Sequence, residues 1–228
     1  PTLITNDFSG SITSGYYAVT VDNVVITGVV ELTGEKHLIL CDGAKLTVNG
    51  EVYANGDLYI YGQDAGTGIL ILSSKDYYAL TCENLEIHGG NVTVTHTGES
   101  YGLSVISDIS VYGGNLTVNS SAQYSLLCQS GPIYICGGST IVSSTSNAGG
   151  SSAICCAGYR YVEGDIIVYG GYLYAGAVYE NGRSIYGYVM TEGYVTLYYT
   201  NDLSNWGDGV QPSMPVDYCS SRRYAKAE

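Results

Sequence analysis

Apolar and polar residues alternate along short stretches of the chain, and these stretches recur at a fixed distance. Residues 85–94 read LEIHGGNVTV, 109–118 read ISVYGGNLTV and 133–142 read IYICGGSTIV, so each copy starts 24 positions after the last. A looser copy, IIVYGGYLYA, occupies 166–175. A second phrase precedes each copy: YALTC (78–82), YGLSV (101–105), YSLLC (124–128) and SAICC (152–156). Short strands repeated about every two dozen residues predict a β-solenoid.

The alternation assigns inward side chains to three walls, because successive residues of a strand point to opposite faces. The repeats fill these walls with Leu85, Ile109, Ile133 and Ile166 in the first, Leu46, Val92 and Leu116 in the second, and Leu80, Leu103, Leu126 and Ile154 in the third. Every copy keeps the same strand order, so each strand is expected to pair in parallel with its own repeat. Parallel crossovers are almost always right-handed. The sequence therefore predicts an all-β, single-stranded, right-handed parallel β-helix with three strands per rung and capped ends.

The repeat also predicts how the chain is divided. We expect an N-terminal cap and first rungs over 1–35, β-helix rungs over 36–176, and C-terminal rungs with a cap over 177–215. Residues 216–228 end in SSRRYAKAE and are expected to be a tail or linker. One rung cannot bury its own apolar face, so the whole forms one domain.

Outward positions of the first wall carry aromatic side chains. One predicted column runs Cys41, Tyr61, His88, Tyr112, Cys136 and Tyr169, and its neighbour runs Ile39, Tyr59, Glu86, Ser110, Tyr134 and Ile167. The adjoining wall presents Asn91, Asn115, Tyr172 and Tyr174. Rigid aromatic rings among amides and hydroxyls suit carbohydrate, since rings pack on the C–H faces of pyranoses. The alternative is that the tyrosines only stabilise packing between rungs.

The excess of tyrosine over phenylalanine favours a surface role for the aromatic side chains. The chain has 24 Tyr and one Phe, although aromatic residues used only to fill a core would include many Phe. Tyr places an apolar ring at a surface while its hydroxyl stays hydrated. Tyr78, Tyr101 and Tyr124 share the parity of inward residues, so we expect them at a corner or in the core.

The net charge of −13 limits the classes of molecule that the surface can bind. Such a surface repels a phosphate backbone, which excludes nucleic acid, and it disfavours polyanionic substrates. No apolar run reaches 18 residues, so no membrane insertion is expected. A start at PTLITND, without Met, is typical of a chain whose signal peptide has been removed.

Residue patterns for catalysis or metal binding are weak. The seven Cys form no CxxC pair, and the three His show no zinc-type spacing, so neither a metal nor a cofactor is expected. Four acidic candidates for a lyase share no wall with a basic residue: Asp57, Asp64, Glu86 and Asp108. Two carboxylate pairs, Glu83 with Glu86 and Glu99 with Asp108, could meet at the spacing that a glycosidase needs, but nothing in the sequence selects them. No catalytic residue is assigned.

Residues 24–72 resemble the opening of β-helix domains in secreted surface proteins of gut Firmicutes. The match lies in Cys41-Asp42-Gly43, in LTVNG at 46–50 and in YGQ at 61–63 followed by GTG at 66–68. It continues more loosely to about residue 176. The resemblance implies an extracellular or cell-surface location and a carbohydrate-binding or adhesin-like role, and it brings no catalytic residues.

These observations favour a non-catalytic module that binds a neutral glycan or a host or cell-surface protein. The expected ligand-binding residues are Tyr61, His88, Asn91, Tyr112, Asn115, Tyr169, Tyr172 and Tyr174. Two alternatives stay open. One is a polysaccharide lyase or glycoside hydrolase on the same fold, and the other is a structural spacer that self-associates through its helix ends.

Overall fold

The structure is a computed structural model that describes residues 1–5, 11–12, 15–157, 164–177, 182–192, 195–200 and 224–228. These residues form 26 strands in three sheets, and the described part of the chain contains no helix. We call the three sheets A, B and C. On each turn the chain passes through a strand of A, then of C, then of B, and it completes about seven turns. This is the three-walled parallel β-helix that the sequence predicts.

Sheets A and B each gather one strand from successive turns. Sheet A contains β1 (Thr2–Ile4), β3 (Gly15–Val19), β6 (Lys36–Leu40), β9 (Leu58–Gly62), β12 (Leu85–Ile87), β15 (Ile109–Val111), β18 (Ile133–Ile135), β21 (Asp165–Val168) and β24 (Tyr188–Thr191). Sheet B contains β2 (Ser11–Ile12), β5 (Val30–Thr33), β8 (Val52–Asn55), β11 (Tyr78–Cys82), β14 (Tyr101–Val105), β17 (Tyr124–Cys128), β20 (Ser152–Cys156) and β23 (Arg183–Tyr186).

Sheet C has the same stacking, with two extra strands at one edge. Its parallel part contains β4 (Val24–Thr27), β7 (Lys45–Asn49), β10 (Ile69–Ser74), β13 (Asn91–His96), β16 (Asn115–Ser120), β19 (Ser139–Ser144) and β22 (Tyr172–Ala177). At the far edge β26 (Tyr224–Ala227) pairs antiparallel with β22, and β25 (Leu197–Thr200) pairs antiparallel with β26.

The pairing register confirms the predicted inward columns. Leu85 pairs with Ile109, Ile109 with Ile133, and Ile133 with Ile166. All four are at most 1% exposed, as are Leu80, Leu103, Leu126 and Ile154 in sheet B. Burying an aliphatic side chain of this size contributes roughly 1.5–3 kcal/mol. The repetition therefore supplies what a single rung lacks, since each rung covers the apolar face of the next.

Glycine pairs form the corner between sheets A and C. Gly114 and Gly138 have φ of +75° and +68°, a region that side-chain-bearing residues rarely adopt. The corners also stack closely on one another, because a Cβ placed on Gly138 would lie 2.2 Å from the Gly114 carbonyl oxygen. Two constraints, conformation and close approach, thus explain why the phrase repeats GG.

The ends of the coil differ in detail from the expected division. Strands β23 and β24 continue sheets B and A to Thr191, within the segment 177–215 that was expected to contain C-terminal rungs. Residues 224–227, expected in a linker, form β26 and cover the edge of sheet C. At the N-terminal end β1 and β2 already pair with sheets A and B, and the first turn with a strand in all three sheets begins at β3. The expected N-terminal cap lies partly at 6–10 and 13–14, and most of the expected C-terminal cap lies at 201–215; these ranges are outside the described residues.

Candidate functional site

Six aromatic side chains form two adjacent stacks on the outer face of sheet A, and contact between the His37 and Tyr61 rings, with centroids 5.9 Å apart, joins the two stacks. We call Tyr16, His37, Tyr59, Tyr61, His88 and Tyr112 the aromatic ladder. Successive ring centroids lie 4.1 Å apart for Tyr16–His37, 4.7 Å for His37–Tyr59, and 4.9 Å for both Tyr61–His88 and His88–Tyr112. Planes within these pairs deviate by at most 17°. The spacing follows from the distance between parallel strands, about 4.8 Å, which equals a comfortable stacking distance.

Carboxylates hold the two histidines of the ladder in place. His37 Nε2 lies 2.7 Å from Glu35 Oε1, and His37 Nδ1 lies 3.1 Å from the Tyr61 hydroxyl. His88 Nε2 lies 3.0 Å from Glu86 Oε2. With a proton on Nε2, each imidazole donates to its carboxylate, and His37 Nδ1 then accepts from Tyr61. These contacts fix the planes of the two imidazole rings, and the carboxylates of Glu35 and Glu86 place hydrogen-bond acceptors beside the ladder.

The stacking decides which surface each predicted ring can offer. Tyr61 has His88 against one face and His37, with centroids 5.9 Å apart, toward the other. Tyr61 therefore offers a ligand mainly its edge and its hydroxyl. Burial raises the pKa of Tyr61, so this hydroxyl stays protonated at neutral pH. Tyr112 has one face on His88 and is 48% exposed.

The upstream part of the predicted column was wrong by two residues. The structure pairs Ile39, rather than Cys41, with Tyr61, and it pairs His37, rather than Ile39, with Tyr59. The predicted column places Cys41-Asp42 opposite Tyr61-Gly62, an offset of 20 residues, whereas the strands pair with an offset of 22. The chain instead turns at Asp42-Gly43, after β6 has ended at Leu40. His37 is the ladder residue that this misalignment concealed.

The ladder is interrupted after Tyr112. The next rung carries Cys136 at the equivalent position, and the rung after that carries Tyr169, which is 49% exposed. Tyr134, on the Cys136 rung but one column over, approaches Tyr169 with centroids 6.4 Å apart. None of the stacked ring pairs among the described residues joins Tyr112 to Tyr134 or Tyr169.

The predicted residues beyond the glycine corner form a separate group on sheet C. Asn115 Nδ2 donates to Asn91 Oδ1 at 2.7 Å, and Asn91 Nδ2 donates to the Gly66 carbonyl at 2.8 Å. Each side-chain amide thus donates a hydrogen bond to an acceptor in the preceding rung, although Asn115 stays exposed. Tyr172 and Tyr174 lie on β22, both half-buried, opposite Ser139 and Ile141. The structure therefore divides the eight predicted residues between two walls.

A second aromatic surface lies on sheet B. Tyr78, Tyr101 and Tyr124 stack with centroids 5.8 and 5.7 Å apart and help to line a cleft of about 610 Å³. They are half-buried and face this cleft, so the alternative that placed them in the core was wrong. The floor is apolar, because Leu127 and Cys155 occupy outward positions of their strands yet are 7% and 3% exposed.

The interior of the coil offers much less room than these surfaces. Near the first rungs an apolar cavity of about 60 Å³ is lined by side chains such as Leu46, Leu58 and Leu70. That volume suits a few water molecules and is far too small for a sugar. Lys36 borders it with its Nζ bonded to the Thr33 and Gly34 carbonyls, and burial lowers the pKa of Lys36.

The residues that carry the sequence resemblance build a cross-rung staple. Asp42 accepts hydrogen bonds from the backbone N–H groups of Thr67 and Ala65, each at 3.1 Å, and from the Thr67 hydroxyl. Gln63 Oε1 accepts from the Asp42 N–H at 2.8 Å. The bonds from Thr67 foremost lower the pKa of Asp42. This motif fixes two successive loops, which accounts for its residue types without a ligand.

Three of the carboxylates considered for catalysis contact neighbouring polar groups, including Glu86 through His88. Asp57 Oδ1 accepts from Asn84 Nδ2 at 2.7 Å, and Glu83 Oε1 accepts from the Ser107 hydroxyl at 3.1 Å. Across the part of the chain that the structure describes, no cluster of three or more His, Cys, Asp or Glu side chains could hold a metal ion. The same residues include no helix long and apolar enough to cross a membrane.

Comparison with known proteins gives no further constraint on the site. No protein family model, no curated protein and no solved structure matches this chain.

Proposed function

We propose that the protein is a non-catalytic, extracellular carbohydrate-binding module that presents the outer face of sheet A to neutral glycans. The observation that carries the proposal is the aromatic ladder, which ends in the half-exposed Tyr112 on a rigid parallel sheet, with the half-exposed Tyr169 two rungs further on. Rings held in fixed positions bind sugar faces with little loss of conformational entropy, which is why aromatic side chains dominate such surfaces.

The charge of the face favours neutral glycans over acidic ones. Glu35 and Glu86 line the ladder through their contacts with His37 and His88. Carboxylates accept hydrogen bonds from sugar hydroxyls but repel uronates and sulfated sugars. The overall charge of −13 acts in the same direction at longer range. The resemblance of residues 24–72 to secreted surface proteins supports a location outside the cell.

The cleft on sheet B is the competing position for the same ligand class. It combines stacked tyrosines with Gln123, Gln129 and Ser130, and its size falls within the range of small-molecule sites. We place the primary site on sheet A because Tyr112 and Tyr169 are about half exposed, whereas Tyr101 is covered on both faces by Tyr78 and Tyr124.

A glycan array of the full chain tests the function, with host mucin and plant polysaccharide fragments as probes. We expect binding to neutral glycans that falls roughly 5- to 150-fold in a Tyr112→Ala, Tyr169→Ala double variant, since two stacking contacts contribute about 1–3 kcal/mol together. Tyr53→Ala is the matched control, because Tyr53 is also 48% exposed but lies on sheet B, on the outside of β8.

Three results would contradict the proposal or relocate the site. An array without any hit would rule out the function. Binding that is lost in Tyr78→Ala but kept in the double variant would move the site to the cleft. New reducing ends or unsaturated uronates released from the bound polysaccharide would show that the protein is an enzyme.

A further inference from the structure

The cleft on sheet B is a slot with two different walls. On one rung Tyr124, Leu127 and Gln129 line it in that order, and on the rung before it Tyr101 and Ile106 do so. The stacked tyrosines therefore form one wall, and Ile106 and Gln129 form the opposite wall, with the apolar floor between them. The cleft volume of about 610 Å³ lies within the range of small-molecule sites.

The tyrosine wall offers ring edges rather than ring faces. Tyr101 lies between Tyr78 and Tyr124, with angles of 20° and 4° between the ring planes. Since both faces of Tyr101 are covered, only its edge and its hydroxyl reach the cleft. The edge of an aromatic ring carries partial positive charge and attracts the negative face of another aromatic ring. The C–H groups of a pyranose gain little from such an edge, so this wall favours an aromatic ligand over a sugar.

The remaining lining is apolar and uncharged. Burial raises the pKa of the Cys155 thiol in the floor to about 12, so it stays protonated at neutral pH. Ile106, which is 42% exposed, offers an apolar contact on the opposite wall. None of the described residues that line the cleft is charged, and Arg183 lies outside this lining with its guanidinium carbon 5.8 Å from the centroid of Tyr186. An ion would lose hydration here without a counter-charge, which favours an uncharged ligand.

A hydrogen-bond acceptor at one wall adds a polar requirement. Gln129 Nε2 donates to Ser104 Oγ at 3.0 Å, and this bond fixes the position of the carboxamide. Gln129 Oε1 accepts no hydrogen bond from the described residues. A single oriented acceptor beside an apolar slot matches a ligand that carries a hydroxyl on its ring.

We infer that the cleft on sheet B binds a small uncharged phenolic compound. One face of its ring lies against the edges of Tyr101 and Tyr124, the other face lies toward Ile106, and the hydroxyl donates to Gln129. The cleft is on a different wall from the aromatic ladder, so this inference goes beyond the proposed function and does not depend on it.

Fluorescence titration of 2-naphthol into the full chain at neutral pH tests the inference. Three analogues each change one property and are measured by competition with 2-naphthol. They are 2-decalol, whose rings are saturated, 2-methoxynaphthalene, which has no hydroxyl donor, and 2-naphthoate, which is charged. We expect 2-naphthol to bind about ten-fold more tightly than each analogue, since each lacks one of the contacts described above.

Two variants link the binding to individual contacts. Tyr101→Leu removes the aromatic edge and should weaken 2-naphthol binding about two- to ten-fold, with a smaller preference over 2-decalol. Gln129→Leu should remove the preference over 2-methoxynaphthalene while the preference over 2-decalol remains, a split that general damage to the cleft would not produce. Tyr53→Leu is the matched control, because Tyr53 lies on sheet B but outside the lining. Far-UV circular dichroism verifies that the variants keep the fold.

The outcomes separate this site from the glycan face. Saturable 2-naphthol binding that is weakened in Tyr101→Leu and kept in Tyr53→Leu supports the inference, whatever the glycan array shows. Absence of saturable binding, equal affinity for 2-naphthol and 2-decalol, or tighter binding of 2-naphthoate would each overturn it. Loss of 2-naphthol binding in the Tyr112→Ala, Tyr169→Ala double variant would place the ligand on sheet A and also overturn it.

Discussion

Replacing Gly138 by alanine tests the claim that stacked glycine corners hold the rungs together. At φ of +68° an alanine costs about 1–2 kcal/mol from its own backbone sterics. Its Cβ would also lie 2.2 Å from the Gly114 carbonyl oxygen and 2.8 Å from the Gly113 carbonyl carbon. Backbone atoms must move to relieve that overlap, and overpacking of this kind costs about 1–3 kcal/mol. We therefore expect Gly138→Ala to lose about 2–5 kcal/mol in the free energy of unfolding.

Gly66→Ala isolates the stacking contribution. Gly66 has a similar φ of +65°, but a Cβ built there meets nothing within 4 Å. Its expected loss is only the conformational cost of about 1–2 kcal/mol. Urea unfolding followed by far-UV circular dichroism measures both variants against the wild type. Equal losses in the two variants would refute the argument that close rung-to-rung approach, rather than backbone conformation alone, selects glycine at this corner.

Three further predictions concern stability and its dependence on pH. Leu126→Ala should destabilise the fold by about 2–5 kcal/mol in urea unfolding. Leu3→Ala, at a site 59% exposed, should cost less than about 0.5 kcal/mol. Similar losses in the two variants would contradict the assignment of Leu126 to the core. His96 is 1% exposed, neither ring nitrogen has a partner of normal geometry, and desolvation lowers its pKa despite the opposing effects of Tyr77 and Asp76. Because the unfolded chain then binds a proton that the folded chain does not, the free energy of unfolding should fall as pH drops below the ordinary histidine pKa. His96→Gln should weaken this pH dependence. An unchanged slope in the variant would show that His96 is not its source. For Asp42, whose pKa is lowered in the fold, the stabilisation is present above the ordinary aspartate value and is lost as pH falls through the lowered one. Asp42→Ala should accelerate amide hydrogen exchange at Thr67 and Ala65, and unchanged exchange would show that the staple does not hold the loop.

The fold could be predicted because its two determinants, the alternation of apolar and polar residues and the 24-residue repeat, can both be read from the sequence. Alternation has only two phases, and the 24-residue period fixed which phase pointed inward at Leu85, Ile109 and Ile133. A repeat that fails to bury its apolar face alone has few ways to assemble. The register upstream was less secure, because the turn at Asp42 replaces the Gly-Gly corner and offers a different glycine for alignment.

The candidate site was only partly predictable, for reasons of geometry. The column of Tyr61, His88, Tyr112 and Tyr169 followed from the period, but the orientation of the rings did not. At a rung spacing of about 4.8 Å, neighbouring rings cover one another's faces, so exposure is greatest where the row begins or is interrupted, at Tyr16, Tyr112 and Tyr169. The informative residue is therefore Cys136, the one non-aromatic position between Tyr112 and Tyr169. The cleft on sheet B left a fainter signal, namely apolar Leu127 and Cys155 at outward positions.

The most direct test of the central claim is a crystal structure of the full chain soaked with the strongest glycan from the array. Our account predicts electron density for a pyranose on the outer face of sheet A, in contact with Tyr112 or Tyr169. Ordered sugar in the cleft beside Tyr101 or elsewhere on the surface, with the sheet A face empty at a glycan concentration well above Kd, would contradict it.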